Sequence, residues 1–388
     1  MLARRGASVT LFERADQLIS RTSVHNEGKI HFGYVYAGDS SLATARMMIR
    51  GALLFAPFLR DYLDLVPERM ALSSPHVYLV HRDSQRSVDH LSRYFDAVHA
   101  MAEDAAGGAK KVYFGADLRQ APRKWSAAEI GAQFDPATVM AAFDTEELAV
   151  DPYALARAFR ERIAGAPAIE VRLRRTVRSV GKSGARLRVA SDGPEGPERG
   201  DYDHVVNALW DGRLAVDATL GIRPKRPWLY RFRYGLRFES REVFKVPLAL
   251  TMVHGPFGGV VCYTNGAMYL AWYPACRVGS SNSLDPPDWP PHAVEPLRSR
   301  IIRDTVASLA AIIPALGAVD PRTFADASVV GGNIFAWGAT DTDDPASDLH
   351  QRHDIGVVSV GNYHSVDPGK LSLTPYFAEI CADRIAPP

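Results

Sequence analysis

Three groups of residues in this 388-residue sequence could do chemistry. The run "SVTLF" leads into Glu13, with Arg14 beside it. A carboxylate at the end of a strand can accept hydrogen bonds from ribose hydroxyls, as in dinucleotide-binding βαβ units. Far along the chain, Lys370 opens "KLSLTPYFAEICADRI", which reads as a helix. A helix start disfavours a cation, so Lys370 is a stronger candidate for function than an ordinary surface lysine. Between them an aromatic run holds Tyr230, Arg231, Arg233, His254, Tyr263, Tyr269, Trp272 and Tyr273, and an earlier loop adds His31, Tyr34 and Tyr36. Most such aromatics pack a sheet, but a pocket built there would have phenols and guanidiniums to orient a small molecule. Arg231 and Arg233 stand two apart and share one face of a strand, either wet or turned to a ligand.

The elements that must hold these residues follow from periodicity. "LARR" reads as a helix tail stopped by Gly6, ahead of the strand "SVTLF". "SLATARMMIRGALLFAPFLRDYLDLV" and "SVDHLSRYFDAVHAMAEDA" repeat apolar residues at helical spacing, with a short strand "HVYLV" between them. "DPYALARAFRERIAG" predicts a helix capped by Asp151 with Pro152 in its first turn. The strands "AIEVRL", "TVRSVGK" and "ARLRVAS" come next, then a Pro/Gly loop, then "YDHVVNALW". From Trp228 to about Arg277, the runs "LYRFRYGLRF", "VPLALTMVHG", "GGVVCYTNG" and "AMYLAWYP" predict an antiparallel sheet. A helix "PLRSRIIRDTVASLAAIIPAL", the stretch "RTFADASVVGGNIFAW", a buried strand "GVVSVG" and the last helix finish the chain.

Composition narrows the partners. With 47% apolar residues and a net charge of +1, the chain can bury a large core, and it offers no basic block for nucleic acid or an anionic membrane. A small-molecule substrate is the expected partner. Cys262, Cys276 and Cys381 are odd in number and widely spaced, which disfavours a disulfide framework or a metal knuckle and suits a cytoplasmic location. Neither the start of the chain nor the run "LAAIIPALGAV" reads as a signal peptide or a membrane span. The sequence does not specify an oligomeric state.

The dinucleotide reading is incomplete. Only twelve residues precede Glu13, whereas the first glycine of a GxGxxG turn lies about 20 residues before such an acid. "GPFGG" and "VVGGN" fall in sheet-like text instead. Met1 stands where a helix should already be under way, so the expectation is a start assigned too late and an absent glycine-rich segment.

Against that background, "LARRGASVTLFERAD", "RTSVHNEGKIHFGYVYAGD", "EELAVDPYALARAFRERI", "DYDHVVNALWDGR" and "VVSVGNYHSVDPGKLSLTPYFAEICADRI" together resemble, in order, the D-amino-acid oxidase and glycine oxidase superfamily of FAD-dependent oxidoreductases. The resemblance implies an α/β chain. A Rossmann-type FAD-binding domain, N-terminally incomplete, would comprise 1–75, 151–225 and 326–388. An α+β substrate domain on an antiparallel sheet would comprise 76–150 and 226–325. It implies that Glu13 and Arg14 hold the adenosine ribose, that Thr22, Ser23, Asn26 and Gly28 line the pyrophosphate and flavin edge, and that Val177 packs near the adenine. Asn207, Ala208, Leu209 and Trp210 would pass close to the cofactor, and Gly361, Gly369, Lys370 and Leu371 would close the site. His25 matches the spacing of the flavin-linked histidine in dimethylglycine and sarcosine dehydrogenases, with different neighbours; the alternative is a loop imidazole bound to backbone or flavin. The implied reaction is hydride transfer from a small amine or amino-acid-like substrate to flavin, with Lys370, Tyr263, Arg231 and Arg233 as candidate catalytic residues and no metal. The family's arginine for the substrate carboxylate is absent from "GGNIFAWGATDTDDP", which leaves Arg231, Arg233 or Arg352 to supply one. Two other readings stand beside this one: a flavin monooxygenase, and a cofactor-deficient relative acting as a binding protein.

Overall fold

The computed structural model describes residues 1–107, 113–240, 244 and 248–387. The aromatic, β-branched text after Trp228 forms the centre of a nine-stranded sheet. Its longest strand, Trp228–Glu239, pairs antiparallel with Ser328–Trp337 over ten positions and also with Ala267–Trp272 and Arg277–Ser281. Ser328–Trp337 therefore lies with the large sheet, not with the cofactor segments where the sequence grouped it. The sheet is also not purely antiparallel: Leu248–Val253 runs parallel to His76–His81, which pairs antiparallel with Val139–Thr145. Val246 and Pro247, with which that strand was expected to begin, lie outside the described residues. Tyr234, Leu250, Val260 and Leu270 interlock with Ile301 and Leu309 of the Leu297–Ala310 helix in the core behind this sheet.

The other side of the molecule is built from short parallel strands. Val9–Phe12 pairs parallel with Ile169–Arg172, and Val205–Asn207 pairs parallel with Tyr363–Asp367. Among the described residues Val9–Phe12 and Val205–Asn207 each pair on one side only, whereas Tyr363–Asp367 also pairs antiparallel with Gly356–Val360. Asp151 caps the Pro152–Ala164 helix as expected, accepting from Tyr153 N at 3.1 Å. The second Asp151 oxygen is bound by Arg237 and Asn265, which ties this helix to the large sheet. Ala43–Leu63 and Thr374–Ile385 pack over the cofactor side through Met48, Leu373, Phe377 and Cys381.

Two expectations fail for stated reasons. The Pro/Gly stretch after Gly193 is not a loop: Gly193 pairs with Gly196, Gly196 takes φ +97°, and Gly196–Tyr202 returns as a third strand beside Arg186–Gly193. The strand Gly356–Val360 is not buried; it is a sheet edge, and Val358 and Val360 are more than half exposed.

Gly28 shows how the loop ahead of the site is fixed. It sits at φ +61°, and a Cβ there would lie 1.9 Å from the Val150 carbonyl oxygen. Gly28→Ala is expected to lower stability by about 2 kcal/mol or more, from left-handed strain plus displacement of the strand Leu148–Val150. A melt within the error of the parent would contradict this.

Candidate functional site

A single cavity of ≈2370 Å³ runs along the cofactor side and ends against the large sheet. At one end it is lined by Val9–Phe12, Glu13, Arg14 and Val177; it passes Thr22, Ser23, His25, Asn26, Ala208, Leu209 and Trp210, and reaches Gly369, Lys370 and Leu371. Thirteen of the sixteen positions expected to meet a cofactor thus share one surface, although they come from five separated stretches of chain. The other three do not line it. Gly28 works through the strand contact above. Asn207 is buried and donates to the Arg213 carbonyl, Asp217 and Tyr363. Gly361 forms the turn between Gly356–Val360 and Tyr363–Asp367, where its φ of +60° suits a hairpin and not a ligand.

The polar groups along the cavity have defined partners. Glu13 Oε1 accepts from Ala15 N at 2.9 Å, which orients the carboxylate and leaves Oε2 for a ligand. Arg14 reaches Asp211 at 3.1 Å, and Asp211 also accepts from Asn333 Nδ2 at 2.8 Å, so the end of the first strand is bound to the large sheet. Trp210 donates from Nε1 to the Asn333 carbonyl at 2.8 Å. His25 is buried with Nδ1 2.8 Å from the Gly331 carbonyl, which assigns the ring proton to Nδ1. Burial lowers its pKa, so the ring is neutral at pH 7.

At the inner end the charges are mostly positive. The arginine spacing places Arg231, Arg233 and Arg237 on one face of Trp228–Glu239, and each meets a carboxylate: Asp341, Glu27 and Asp151 respectively. The face is therefore buried and paired, not wet. The rings of Tyr273 and the guanidiniums of Arg231, Arg233 and Arg277 gather there. Three cations here form no ion pair with a carboxylate among the described residues: Lys29, which donates to Thr251, Arg352 and Lys370. Arg352, 7% exposed, donates only to the carbonyls of Leu349 and Phe335, each at 2.9 Å. Lys370 extends its amine over Tyr36 and makes no hydrogen bond. Burial, with Arg352, Arg233 and Arg231 nearby, pushes Lys370 down to about 7. The Tyr36 hydroxyl and Arg231 Nε are buried without partners in the same region.

Of the other candidates, Arg233 lines the cavity, while Arg231 stands behind it. Tyr263 is buried and donates to the Glu27 carbonyl at 2.8 Å, so it fixes the cavity loop from outside. His254 lies outside the cavity lining, its ring tilted 39° against that of His350 at 4.5 Å. The sequence reading missed Glu27, Lys29 and Glu147. Lys29 lines the cavity and donates to Thr251. Glu147 is fully buried; the only local sign was an acid inside the apolar text "EELAV".

Among the described residues, no helix is long and apolar enough to cross a membrane, and no group of His, Cys, Asp and Glu forms a metal site. The profile of the family described as "DAO: FAD dependent oxidoreductase" matches residues 1–354. A search of curated proteins finds no match. Solved structures similar to this chain include glycine oxidase from Geobacillus kaustophilus (TM-score 0.65, 13% identity, covering 99% of this chain and 90% of that one). L-proline dehydrogenase from P. horikoshii follows (0.64, 15%, 99% and 88%). L-alpha-glycerophosphate oxidase from Mycoplasma pneumoniae, solved with FAD bound, gives 0.64 at 13% identity over 97% and 87%.

Proposed function

Because the chain belongs to the family of FAD-dependent oxidoreductases, we propose that it removes a hydride from a small, anion-bearing, amine or amino-acid-like substrate at the inner end of the cavity. FAD is the cofactor, and when bound it supplies the hydride acceptor. The fit to this group is supported by the cavity itself: a carboxylate with one free oxygen stands at the ribose end, and an unpartnered lysine stands at the other. The observation that carries the reading is buried Lys370, which lines the cavity with no carboxylate in ion-pair contact, and buried Arg352, which lies behind the lining and likewise forms no ion pair. A buried charge is stable only when paired or neutralised, so these groups favour a carboxylate substrate and the negative charge of a reduced flavin.

The residues divide the work. Glu13 would hold the ribose, with Arg14 locking the strand end, and Val177 would pack the adenine. Thr22, Ser23, Asn26, Ala208, Leu209 and Trp210 would line the middle of the cofactor. Lys370, beside Gly369 and Leu371, would face the reacting ring. Arg233 and Arg231, neutralised by Glu27 and Asp341, would hold the substrate end in shape, and Tyr263 would position the Glu27 loop. Tyr36 and Tyr273 would pack behind the inner end, against Lys370 and Arg233. The segments 1–75 and 151–225, with the chain beyond Trp337, would form the cofactor unit.

The glycine-rich phosphate turn has no counterpart in this sequence. A small-molecule pocket occupies about 300–1,000 Å³, less than half of this cavity. The unpaired edges of Val9–Phe12 and Val205–Asn207, with Cys381 and Ala382 of the last helix, border the excess. We read this space as the place of a further parallel strand with a glycine turn, whose N–H groups would meet the pyrophosphate.

Glu13→Ala is expected to weaken FAD binding about 10- to 100-fold, the loss of a charge-assisted hydrogen bond of about 1.5–3 kcal/mol. Fluorescence quenching on FAD titration measures it, and an unchanged Kd would remove the ribose assignment.

A further inference from the structure

The turn that carries Lys370 to the cavity is held by the acid just before it. Asp367 ends the strand Tyr363–Asp367 and is 4% exposed. Its Oδ1 accepts from Gly369 N at 3.1 Å, and Gly369 takes φ +60°. Its Oδ2 accepts from Trp337 Nε1 at 2.8 Å and from Arg213 Nη2 at 3.2 Å. Trp337 is the last residue of Ser328–Trp337 and Arg213 the first of the helix Arg213–Thr219. One carboxylate thus joins the large sheet, the cofactor-side strand, a helix and the lysine turn.

Arg213 extends the chain of contacts. Its buried guanidinium lies over the rings of Phe335 and Trp337, at 5.0 and 5.8 Å, and its Nη1 stands 3.6 Å from Asp217. Asp217, also buried, accepts from the Tyr363 hydroxyl and Ser365 Oγ, each at 2.7 Å, and from Asn207 Nδ2 at 2.8 Å. Asp367, Arg213, Asp217 and Trp337 all stand behind the cavity lining, so their contacts act on the site only through the turn. Two buried carboxylates against one guanidinium are costly to desolvate, but a charged acceptor forms hydrogen bonds about twice as strong as a neutral one.

The strength has a use. Lys370 is in contact with the Tyr36 ring; Arg352, Arg233 and Arg231 repel it, Glu27 attracts it from a distance, and His31 feels its charge. A lysine in such a place gains by swinging its amine out to water, unless its backbone is fixed. We propose that Asp367, held by Arg213 and Asp217, is a positioning residue: it clamps the Gly369–Lys370 turn so that the Lys370 amine stays at the inner end of the cavity. The inference rests on the reading above that puts Lys370 beside the reacting ring and a substrate anion.

The first test needs no flavin. The reactivity of the Lys370 amine toward acetic anhydride is followed against pH, by mass spectrometry of the peptide that carries it. In the parent the midpoint is expected near 7. Asp367→Asn keeps the size of the side chain and an acceptor for Gly369 N, but sets an amide donor against Arg213 and Trp337. The turn should loosen, and the midpoint should rise by about one unit or more as the amine reaches water. Loss of the carboxylate charge alone would move it the other way, so a midpoint that is unchanged or lowered overturns the clamp. If Asp367→Asn unfolds, Trp337→Phe decides: it removes one donor and no charge, and should raise the midpoint by about half a unit.

The second test is a double-mutant cycle on FAD-loaded protein, with acetate as the carboxylate probe and its Kd read from the flavin absorbance. Asp367→Asn is expected to weaken acetate binding about 10-fold with Lys370 present and less than about twofold in Lys370→Met, because residues acting as one unit are not additive. The Kd for FAD should stay within about threefold throughout, since the Glu13 end is untouched. Equal weakening by Asp367→Asn in both backgrounds overturns the proposal and leaves the flavin reading intact. A protein that takes up no FAD overturns both.

Discussion

Lys370→Met is expected to slow flavin reduction by about 10²-fold or more and, at the same time, to make the protein more stable at neutral pH. The first effect is the loss of a preorganised cation where negative charge develops, a contribution of about 10²–10³ in rate for a single donor. The second follows from linkage. Folded, Lys370 gives up its proton at about 7, against an ordinary 10.5. Between those values the unfolded chain binds the extra proton, so stability rises with pH across pH 7 to 10.5. Below pH 7 the full penalty of the buried ammonium applies. The methionine variant lacks that penalty, so its unfolding free energy should exceed the parent's at pH 7 and lose this slope. A carboxylate ligand should flatten the parent's profile in the same way by pairing the amine. Urea titrations at pH 7 and pH 10, beside anaerobic reduction rates, measure both. A variant as fast as the parent, or with the same pH slope, would make Lys370 an ordinary helix-start lysine.

Glu147→Ala should be the most damaging single change to the fold, at about 3–5 kcal/mol, the range for removing one member of a buried charged network. The side chain is wholly buried, and two segments converge on it: the loop through the backbone of Phe32 and Gly33 and the imidazole of His31, and the strand His76–His81 through the Tyr78 hydroxyl and the imidazole of His76. Its loss strands these donors, among them the Tyr78 hydroxyl, whose ring packs on Phe95. Burial alone would raise this carboxyl, but hydrogen bonding and its histidine neighbours hold it down to about 2, below the ordinary 4.5. Its stabilisation is therefore complete above pH 4.5 and lost as the pH falls toward 2. A chemical melt of Glu147→Ala within about 1 kcal/mol of the parent would contradict this role.

The sequence disclosed what depends on neighbours along the chain. Helical spacing located Ala43–Leu63 and Val88–Ala106, and the Asp-Pro pair marked the start of Pro152–Ala164. Period two placed Arg231 and Arg233 on one face, as observed. It could not say that Asp341, 110 positions away, would neutralise one of them, because no local pattern encodes a long-range ion pair. Glu147 was invisible for the same reason: its partners come from positions near 31 and 76. Gly361 was misassigned because a hairpin turn and a ligand-facing turn both call for a glycine at positive φ. Gly196–Tyr202 was missed because its strand is polar and glycine-bearing, held by register with Arg186–Gly193 and not by its own composition. The resemblance carried the thirteen cavity-lining positions, since they are scattered over more than 350 residues and share no spacing.

The central claim, that this cavity holds FAD for oxidation of a small molecule, is tested most directly by the visible absorption spectrum of the purified protein after FAD is added and excess removed. The measurement is made on this chain and on a version that carries an added N-terminal strand with a glycine-rich turn. A yellow protein with flavin bands that bleach on anaerobic addition of substrate is the expected result, stronger in the extended version. A folded protein that stays colourless in both forms would contradict the account.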